Sequence, residues 1–381
     1  MVTEFKKGLA NDGEVIAMLP SYVINRPTGS EVGVYLALDL GGTNFRVCRV
    51  NLEGYGNMRL TSAKYTISDE LKTGPGEKLF EFLADCVAAF CKDYGLDPTG
   101  DSIPMGFTFS FPCKQIAIDK GMLILIKAIV NDTVGTLIAH AYSDPQTYIS
   151  VILGTGTNAA YVEKVANIRK WGSGSGEVII NTEWGAYKEA SILPITHWDN
   201  ALDRKTTNPK QQIFEKMISG MYLGEIVRLI LIDLIKSGEL FNGVGSQLLE
   251  EPYHFDTAYM SRIERDHSLG LSDTKQVLED VMGVVNSSID DRRIVKHVCE
   301  LVGTRAARLA AAGVAALVTK INRLDACTVA IDGSLFEHYP HFGNRMRDAL
   351  RELLGITAQN ILLEQARDGS GQGAALIAAL V

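Results

Sequence analysis

The chain has 381 residues, more than one hydrophobic core usually fills, so a single small module is excluded and about two domains are expected. With 46% hydrophobic and 22% charged residues it has the composition of a packed globular protein and not of a disordered one. Its 37 basic against 45 acidic residues, a net of −8 with no basic tail, weigh against nucleic acid or anionic membrane as a partner, since both need clustered Lys and Arg.

Two apolar runs around a glycine turn over residues 33–50 predict a strand, a tight hairpin and a second strand. Leu79, Phe80, Leu83, Val87, Phe90 and Cys91 fall at helical spacing and predict a helix over 77–94. Residues 105–111 read as a buried strand ending at Pro112, 127–130 as a strand, 133–142 as a helix, and 149–153 as a strand entering Gly154-Thr155-Gly156-Thr157-Asn158. A further helix is opened by Asn208 as N-cap with Pro209 at its first position and carried through Phe214, Met217, Met221, Ile226 and Ile230. A helix over 291–320 is crowded with small residues, a strand over 328–331 runs into Asp332-Gly333-Ser334, and Asp368-Gly369-Ser370-Gly371-Gln372-Gly373 precedes an apolar C-terminal helix. Strands alternating with helices predict a largely parallel α/β sheet.

No membrane span is expected, because residues 229–232 meet Asp233 and the apolar run 309–318 is too short to cross a bilayer. Lys6 and Lys7 are followed by Asn11, Asp12 and Glu14 instead of the apolar core of a secretory signal. Six scattered cysteines form no C-x-x-C pair, and seven histidines have no ligand spacing. A reduced, cytoplasmic protein with no metal site of its own is the expectation.

Asp39-Leu40-Gly41-Gly42-Thr43-Asn44 and Leu153-Gly154-Thr155-Gly156-Thr157-Asn158 each follow an apolar strand and combine paired glycines with Thr and Asn, which implies two related halves. Such glycines let backbone N–H groups approach an anion with no Cβ in the way. Thr43 and Asn44 add donors, and the Asp39 carboxylate suits a hydrated magnesium ion on phosphate oxygens. One such loop taken alone reads more readily as an ordinary hairpin turn. Four of them, counting those at Asp332 and Asp368, all at strand or helix ends, mark ligand positions of an α/β sheet. There is no G-x-x-x-x-G-K-[ST], and Gly154-x-Gly156 lacks a third glycine, so Walker-type hydrolysis and nicotinamide chemistry are disfavoured.

Leu38-Asp39-Leu40-Gly41-Gly42-Thr43-Asn44-Phe45-Arg46, Gly106-Phe107-Thr108-Phe109-Ser110-Phe111-Pro112, Asn131-Asp132-Thr133-Val134-Gly135-Thr136, Gly154 to Asn158, Asn181-Thr182-Glu183-Trp184-Gly185 and the stretch from Phe214 to Glu225 resemble the successive signature blocks of eukaryotic hexokinases, fungal hexokinases and glucokinases in particular. The resemblance runs in family order over nearly the whole chain. It implies the two-domain α/β fold shared by sugar kinases, actin and Hsp70, duplicated ribonuclease H-like domains with a nucleotide cleft between them. The small domain would be 33–149, with the C-terminal helix 373–381 returning to it, and the large domain 1–32 and 150–372.

The implied function is ATP-dependent phosphorylation of glucose or a related hexose in glycolysis, with Mg2+ delivered by the nucleotide and one domain closing on the other when sugar binds. Carried over residue by residue, Asp132 is the general base, and Ser110, Asn131, Asn158, Glu183 and Glu215 hold the sugar, whose hydroxyls pair well with carboxylates and amides. Asp39, Gly41, Gly42, Thr43, Asn44 and Arg46 serve the phosphates from one domain; Thr155, Gly220, Thr304, Gly333, Ser334, Gly369 and Ser370 match the nucleotide side of the other. Each has a plainer reading: Asp132 as an N-cap, Glu183 as a loop acid, Glu215 as a surface charge, Gly220 as a packing glycine. Two rival functions stand beside the kinase, a catalytically impaired sugar-binding regulator of the same fold and an actin- or Hsp70-like ATPase.

One departure stands out. Only residues 112–126 separate the strand ending at Phe111 from the strand 127–130, and no helix fits there, whereas parallel neighbours need a crossover of about a dozen or more residues. The family carries a longer segment here, with a Thr-Lys-Gly stretch whose Thr and Lys contact sugar and phosphate, and neither has an equivalent in this chain. A stretch missing from the sequence as given is expected, with a true deletion as the alternative.

Overall fold

The computed structural model describes residues 1–41, 44–96, 103–109, 126–172 and 174–380. A first sheet begins with β2 (Val32–Leu40), β3 (Asn44–Gly54) and β4 (Asn57–Thr66), an antiparallel meander closed by short turns. β5 (Met105–Phe109) and β6 (Ile126–Val130) join it in parallel, giving the order β4-β3-β2-β5-β6. A second sheet repeats the plan: β7 (Thr147–Leu153), β8 (Thr157–Lys164) and β9 (Glu177–Asn181) form the meander, while β10 (Cys327–Asp332) and β11 (Ile361–Gln365) add in parallel. The short strand β1 (Leu19–Pro20) covers the free edge of β9.

The duplication inferred from the glycine loops is therefore a duplication of topology. The sheets are mixed, not largely parallel as expected, because turns as short as Tyr55-Gly56 can only join antiparallel neighbours. β4 escaped the reading of the sequence: as an edge strand it is exposed or half-exposed along its whole length and shows no apolar face.

Each half ends in a helix that crosses to the other. The helix Asp132–Ser143 follows β6 yet packs on β7, β8, β9 and β10, whereas the C-terminal helix Gly369–Leu380 follows β11 and packs on β2, β3, β5 and β6. The two helices touch backbone to backbone: a Cβ on Gly373 would stand 1.9 Å from the carbonyl oxygen of Gly135. The boundary expected at 149/150 falls inside β7.

The predicted helix from Pro209 is two helices, Ile213–Ile218 and Gly220–Lys236. Residues 208–212 stay out of it because Lys210 and Gln212 have φ of 64° and 52°, and because the Asn208 carbonyl accepts from the buried Lys216 ammonium at 2.8 Å in place of a helical N–H. The break at Ser219 lets the Gly220 N–H donate to the Gly154 carbonyl at 2.8 Å, which ties this helix to the β7–β8 turn.

The largest core lies behind the second sheet, around the long helix Ile289–Ile321. A capping box of Ser288 and Asp291 starts that helix, and Asn322 in the left-handed conformation ends it. Its small residues have a packing reason: Gly313 faces the fully buried Trp184 ring, where a Cβ would come within 2.6 Å. By length and composition it is also the one described helix apolar enough to cross a membrane, and most of its apolar stretch is buried in the core.

Candidate active site

The turn between β7 and β8 and the segment after β9 build one wall. Asn158, the second residue of β8, donates through Nδ2 to Asn181 Oδ1 at 2.7 Å, while its own Oδ1 accepts from the Glu183 N–H at 3.0 Å. Asn181 in turn donates to Glu183 Oε1 at 2.8 Å. Glu183 sits at φ 56°, ψ 43°, a costly conformation for a non-glycine residue, and this amide frame holds it there. Trp184 beside it is wholly buried, donating Nε1–H to Thr157 Oγ1 at 3.1 Å and meeting Phe214 edge-on at 5.7 Å. Glu215 enters from the helix Ile213–Ile218, and its Oε2 accepts the Thr157 N–H at 3.0 Å. Gly156 makes room for it, since a Cβ there would lie 2.8 Å from that oxygen.

Burial raises both acids above the ordinary carboxylate range. For Glu183 the Asn181 and Asn158 amides oppose the shift; for Glu215 the Thr157 N–H opposes it and the neighbouring Glu183 charge adds to it. Neither is a free surface acid, and both stay half-buried with a side open to the cleft.

Asp132 is the first residue of its helix, but the N-cap is Asn131, whose side chain accepts from the Thr133 N–H at 3.0 Å. Asp132 Oδ1 accepts from the same N–H at 2.7 Å and from the Thr133 hydroxyl at 3.2 Å. Burial pushes this carboxyl up to about 6; the Thr133 N–H pulls it down, and the charges of Asp39 and Glu183 raise it further. Four carboxylates thus converge: Asp39 and Glu183 act on Asp132, and Glu183 acts on Glu215.

The facing wall comes from the first sheet. Asp39 and Arg46 are direct cross-strand partners on β2 and β3, and Arg46 donates to Asp39 Oδ2 from Nε at 3.1 Å and from Nη2 at 2.6 Å. The other arm of Arg46 pairs with Asp368. Ser370 donates to the same Asp39 oxygen at 3.0 Å. This cluster joins the two halves across the cleft. Asp39 Oδ2 is thus spoken for, while its second oxygen, with Asp332 close to Asp368, offers hard carboxylate ligands of the kind Mg2+ takes. Thr155, Gly220 and Ser334 line a cavity of about 920 Å3 that continues along Thr257, Arg262 and Tyr339, the size of a nucleotide pocket. Gly333, at φ 122°, turns the chain from β10 into that wall, and Gly369 opens the C-terminal helix beside Thr136. Gly41 and Asn44 close their turn with an N–H to carbonyl bond of 3.0 Å.

Three of the expected residues, Ser110, Gly42 and Thr43, lie outside the described residues, as does the short segment 110–125. Thr304 is not brought to the nucleotide wall. It lies on the long helix and lines a separate groove of about 660 Å3 with Pro194, Arg308 and Leu353. It was expected at the nucleotide through the family resemblance alone, and it sits in the middle of the helix Ile289–Ile321. Two functional positions were missed. Asn181 orients both Asn158 and Glu183, and the Gln212 side chain lies over Gly185, its Oε1 2.5 Å from where a Cβ would be, beside Glu215. The signal for each was an amide two or three residues before an expected sugar acid.

Sequence profiles of the hexokinase family match residues 1–127 and 148–380. The chain belongs to the hexokinase family. It is 41% identical to hexokinase-5 of Oryza sativa subsp. japonica over all of this chain and 84% of that protein, and 38% identical to hexokinase-1 of Schizosaccharomyces pombe over all of this chain and 86% of that one. Plant and fungal members are matched about equally well, so the fungal emphasis of the sequence reading gives way to the eukaryotic family as a whole. Among solved structures, the hexokinase of Schistosoma mansoni complexed with glucose superposes with a TM-score of 0.90 at 38% identity, covering all of this chain and 93% of that one. A bacterial hexokinase of the ROK class from Thermus thermophilus, at 16% identity and a TM-score of 0.54, shares the fold. The protein is accordingly an ATP-dependent hexose kinase, and nothing in these relationships favours the impaired regulator.

Proposed function

We propose that the enzyme transfers the γ-phosphoryl group of MgATP to the 6-hydroxyl of glucose, with Asp132 as general base. The observation that carries this is Asp132 itself: in the first turn of a helix capped by Asn131, raised to about 6, and flanked by the charges of both Asp39 and Glu183. A carboxylate with that pKa is ionised at neutral pH and still basic enough to take a proton. Asn158, Glu183 and Glu215 hold the sugar hydroxyls, joined by Asn131 and Ser110, and leave the 6-hydroxyl facing Asp132. Asp132 accepts the proton as the 6-oxygen bonds to the γ-phosphorus and the bond to the ADP oxygen breaks on the opposite side. Asp39 would hold the magnesium ion that arrives with the nucleotide, whose charge neutralises the phosphate oxygens. Arg46, the Gly41–Asn44 turn, Thr155, Ser334, Gly369 and Ser370 orient the phosphate chain.

Water is a more abundant acceptor than a sugar hydroxyl, and the sugar residues come from both halves. Domain closure on glucose, by the portion 33–149 moving toward the rest, is the device that excludes water. We assign the enzyme to hexose entry into glycolysis in the cytoplasm, and read the helix Ile289–Ile321 as a core helix that spans no membrane. A coupled assay for glucose 6-phosphate with glucose and MgATP tests the proposal: product formation that depends on both supports it, and glucose binding without product points to a sugar binder.

A further inference from the structure

At the far end of the helix that begins with Asp132, His140 and Asp144 stand four residues apart and face the edge strand β11. His140 Nε2 lies 3.3 Å from Glu364 Oε2, and one ligand atom from each of His140, Asp144 and Glu364 falls within 4.8 Å of the other two. The ring is held from its other side as well: Nδ1 is 2.7 Å from Oγ1 of Thr147, which is fully buried. That arrangement is typical of metal-bound histidine, one nitrogen turned to the ligand cluster and the other fixed by a neighbour.

We propose that His140, Asp144 and Glu364 bind a divalent transition-metal ion, Zn2+ by their ligand chemistry, at a site separate from the magnesium that travels with ATP. Tetrahedral zinc with ligand bonds of about 2.0–2.2 Å places its ligand atoms about 3.4 Å apart. The His140–Glu364 spacing already has this value, and Asp144 needs only a small side-chain shift. An imidazole with two carboxylates selects zinc-like ions over Mg2+ or Ca2+, which prefer oxygen alone. A simple His–Glu hydrogen bond accounts for two of the groups; Asp144, whose Oδ1 accepts the Gln146 N–H at 2.9 Å, brings a second carboxylate into the same space, where the acids repel each other unless a cation lies between them. The nearby arginines do not fill that role. Arg26 and Arg323 lie over the Tyr148 ring at 4.4 and 3.8 Å, and Arg26 donates to the carbonyls of Pro145 and Thr147.

The consequence is mechanical. Glu364 lies on β11, which among the described residues pairs only with β10, and four residues before Asp368, the partner of Arg46. An ion here pins the strand that delivers the Asp368–Ser370 loop to the helix that delivers Asp132. The role is structural, and the transfer chemistry does not pass through it.

The experiment titrates EDTA-treated, nucleotide-free protein with ZnCl2 by calorimetry and by thermal unfolding. One ion per chain and a higher Tm are expected. Glu364→Gln and His140→Ala should each weaken binding by about tenfold or more, as loss of a ligand must when even loss of an orienting neighbour costs about 10- to 100-fold. Asp39→Asn should bind zinc as the unaltered chain does, which separates the site from the nucleotide cleft, and Glu364→Gln should keep its transfer rate with MgATP. Glu364 is an exposed side chain, so its variant decides the matter even where His140→Ala folds poorly. Absence of binding up to about 1 mM zinc, an affinity too weak to matter, overturns the proposal, and so does binding that Glu364→Gln leaves unchanged or Asp39→Asn abolishes.

Discussion

In the first half of the chain the turn after β2 is flanked by charge: Asp39 and Arg46 face each other across β2 and β3, and Arg46 reaches over to Asp368 of the other half. In the second half the equivalent turn after β7 carries no charge of its own and rests on a core. Thr157 is bonded to Trp184 and Glu215, Trp184 is buried against Gly313 of the long helix, and Asn158 is locked to Asn181 and Glu183. One topology thus yields a turn whose partners lie across the cleft and a turn whose partners lie within its own half. The first suits phosphates, whose charge changes during transfer; the second suits a neutral sugar, which needs fixed donors and acceptors.

Asp132, between the two, should show the largest effect. Asp132→Asn is expected to lower the transfer rate by roughly 100- to 10,000-fold while leaving glucose affinity near its original value, because the amide keeps the size but takes no proton. Steady-state rates and calorimetry check the pair, and unchanged turnover would remove Asp132 from the mechanism. The unaltered enzyme should gain activity with rising pH around a midpoint of about 6, as the carboxyl loses its proton. The sign for stability is opposite. The folded state holds this proton more tightly than the unfolded chain does, so stability is present at low pH and lost as pH rises from about 4 to about 6. At neutral pH the buried charge costs on the order of 1–3 kcal/mol, since every tenfold gain in proton affinity on folding is worth about 1.4 kcal/mol, and Asp132→Asn should melt higher than the parent.

Next in size come the sugar acids. Glu183→Ala or Glu215→Ala leaves buried hydroxyls unpaired at about 1–3 kcal/mol each, a loss of roughly 5- to 150-fold in glucose affinity. Arg46→Ala, on the other wall, should lower transfer and leave glucose affinity alone. Calorimetry with glucose tells these apart, and an Arg46 variant that loses glucose as badly as the Glu183 variant would break the division of labour between the halves. Smaller again is Gly313→Ala, far from either ligand. Its methyl group would press on the Trp184 ring, costing about 1–3 kcal/mol of stability in thermal unfolding, with glucose affinity falling only as far as Glu183 is displaced.

The halves also differed in how openly the sequence announced them. Both glycine motifs, the strands before them and the start of the helix at Asp132 could be read directly, because strand, turn and cap each impose local residue choices; the role expected of Asp132 came only from the family resemblance. The helix from Pro209 could not, since its break at Ser219 answers to the Gly154 carbonyl, and the tie of Lys216 to Asn208 is tertiary. Thr304 was assigned to the nucleotide by the resemblance alone, and it lines a separate groove on the long helix. Arg46 was legible as a family residue, but not as one arm of a bridge to Asp368, 322 residues away.

The final contrast lies in the parallel strands. In the second half β10 and β11 are joined by residues 333–360, room for the helices Ser334–His338 and Phe342–Leu354. In the first half β5 and β6 are also parallel, yet only residues 110–125 join them, sixteen in place of twenty-eight. A crossover that must climb over the sheet and return needs about a dozen residues even without the helix that normally fills it. The rice relative aligns over 430 positions against the 381 residues here, so at least 49 positions of that alignment have no counterpart in this chain. The duplicated topology therefore predicts that the natural protein carries a longer segment between β5 and β6, and that its intact mass exceeds the 41.5 kDa of this sequence. Mass spectrometry of the protein from its natural source decides it. A mass of 41.5 kDa would mean a true deletion; the first half would then have lost a crossover that the second retains, and transfer, not sugar binding, would be the activity to suffer.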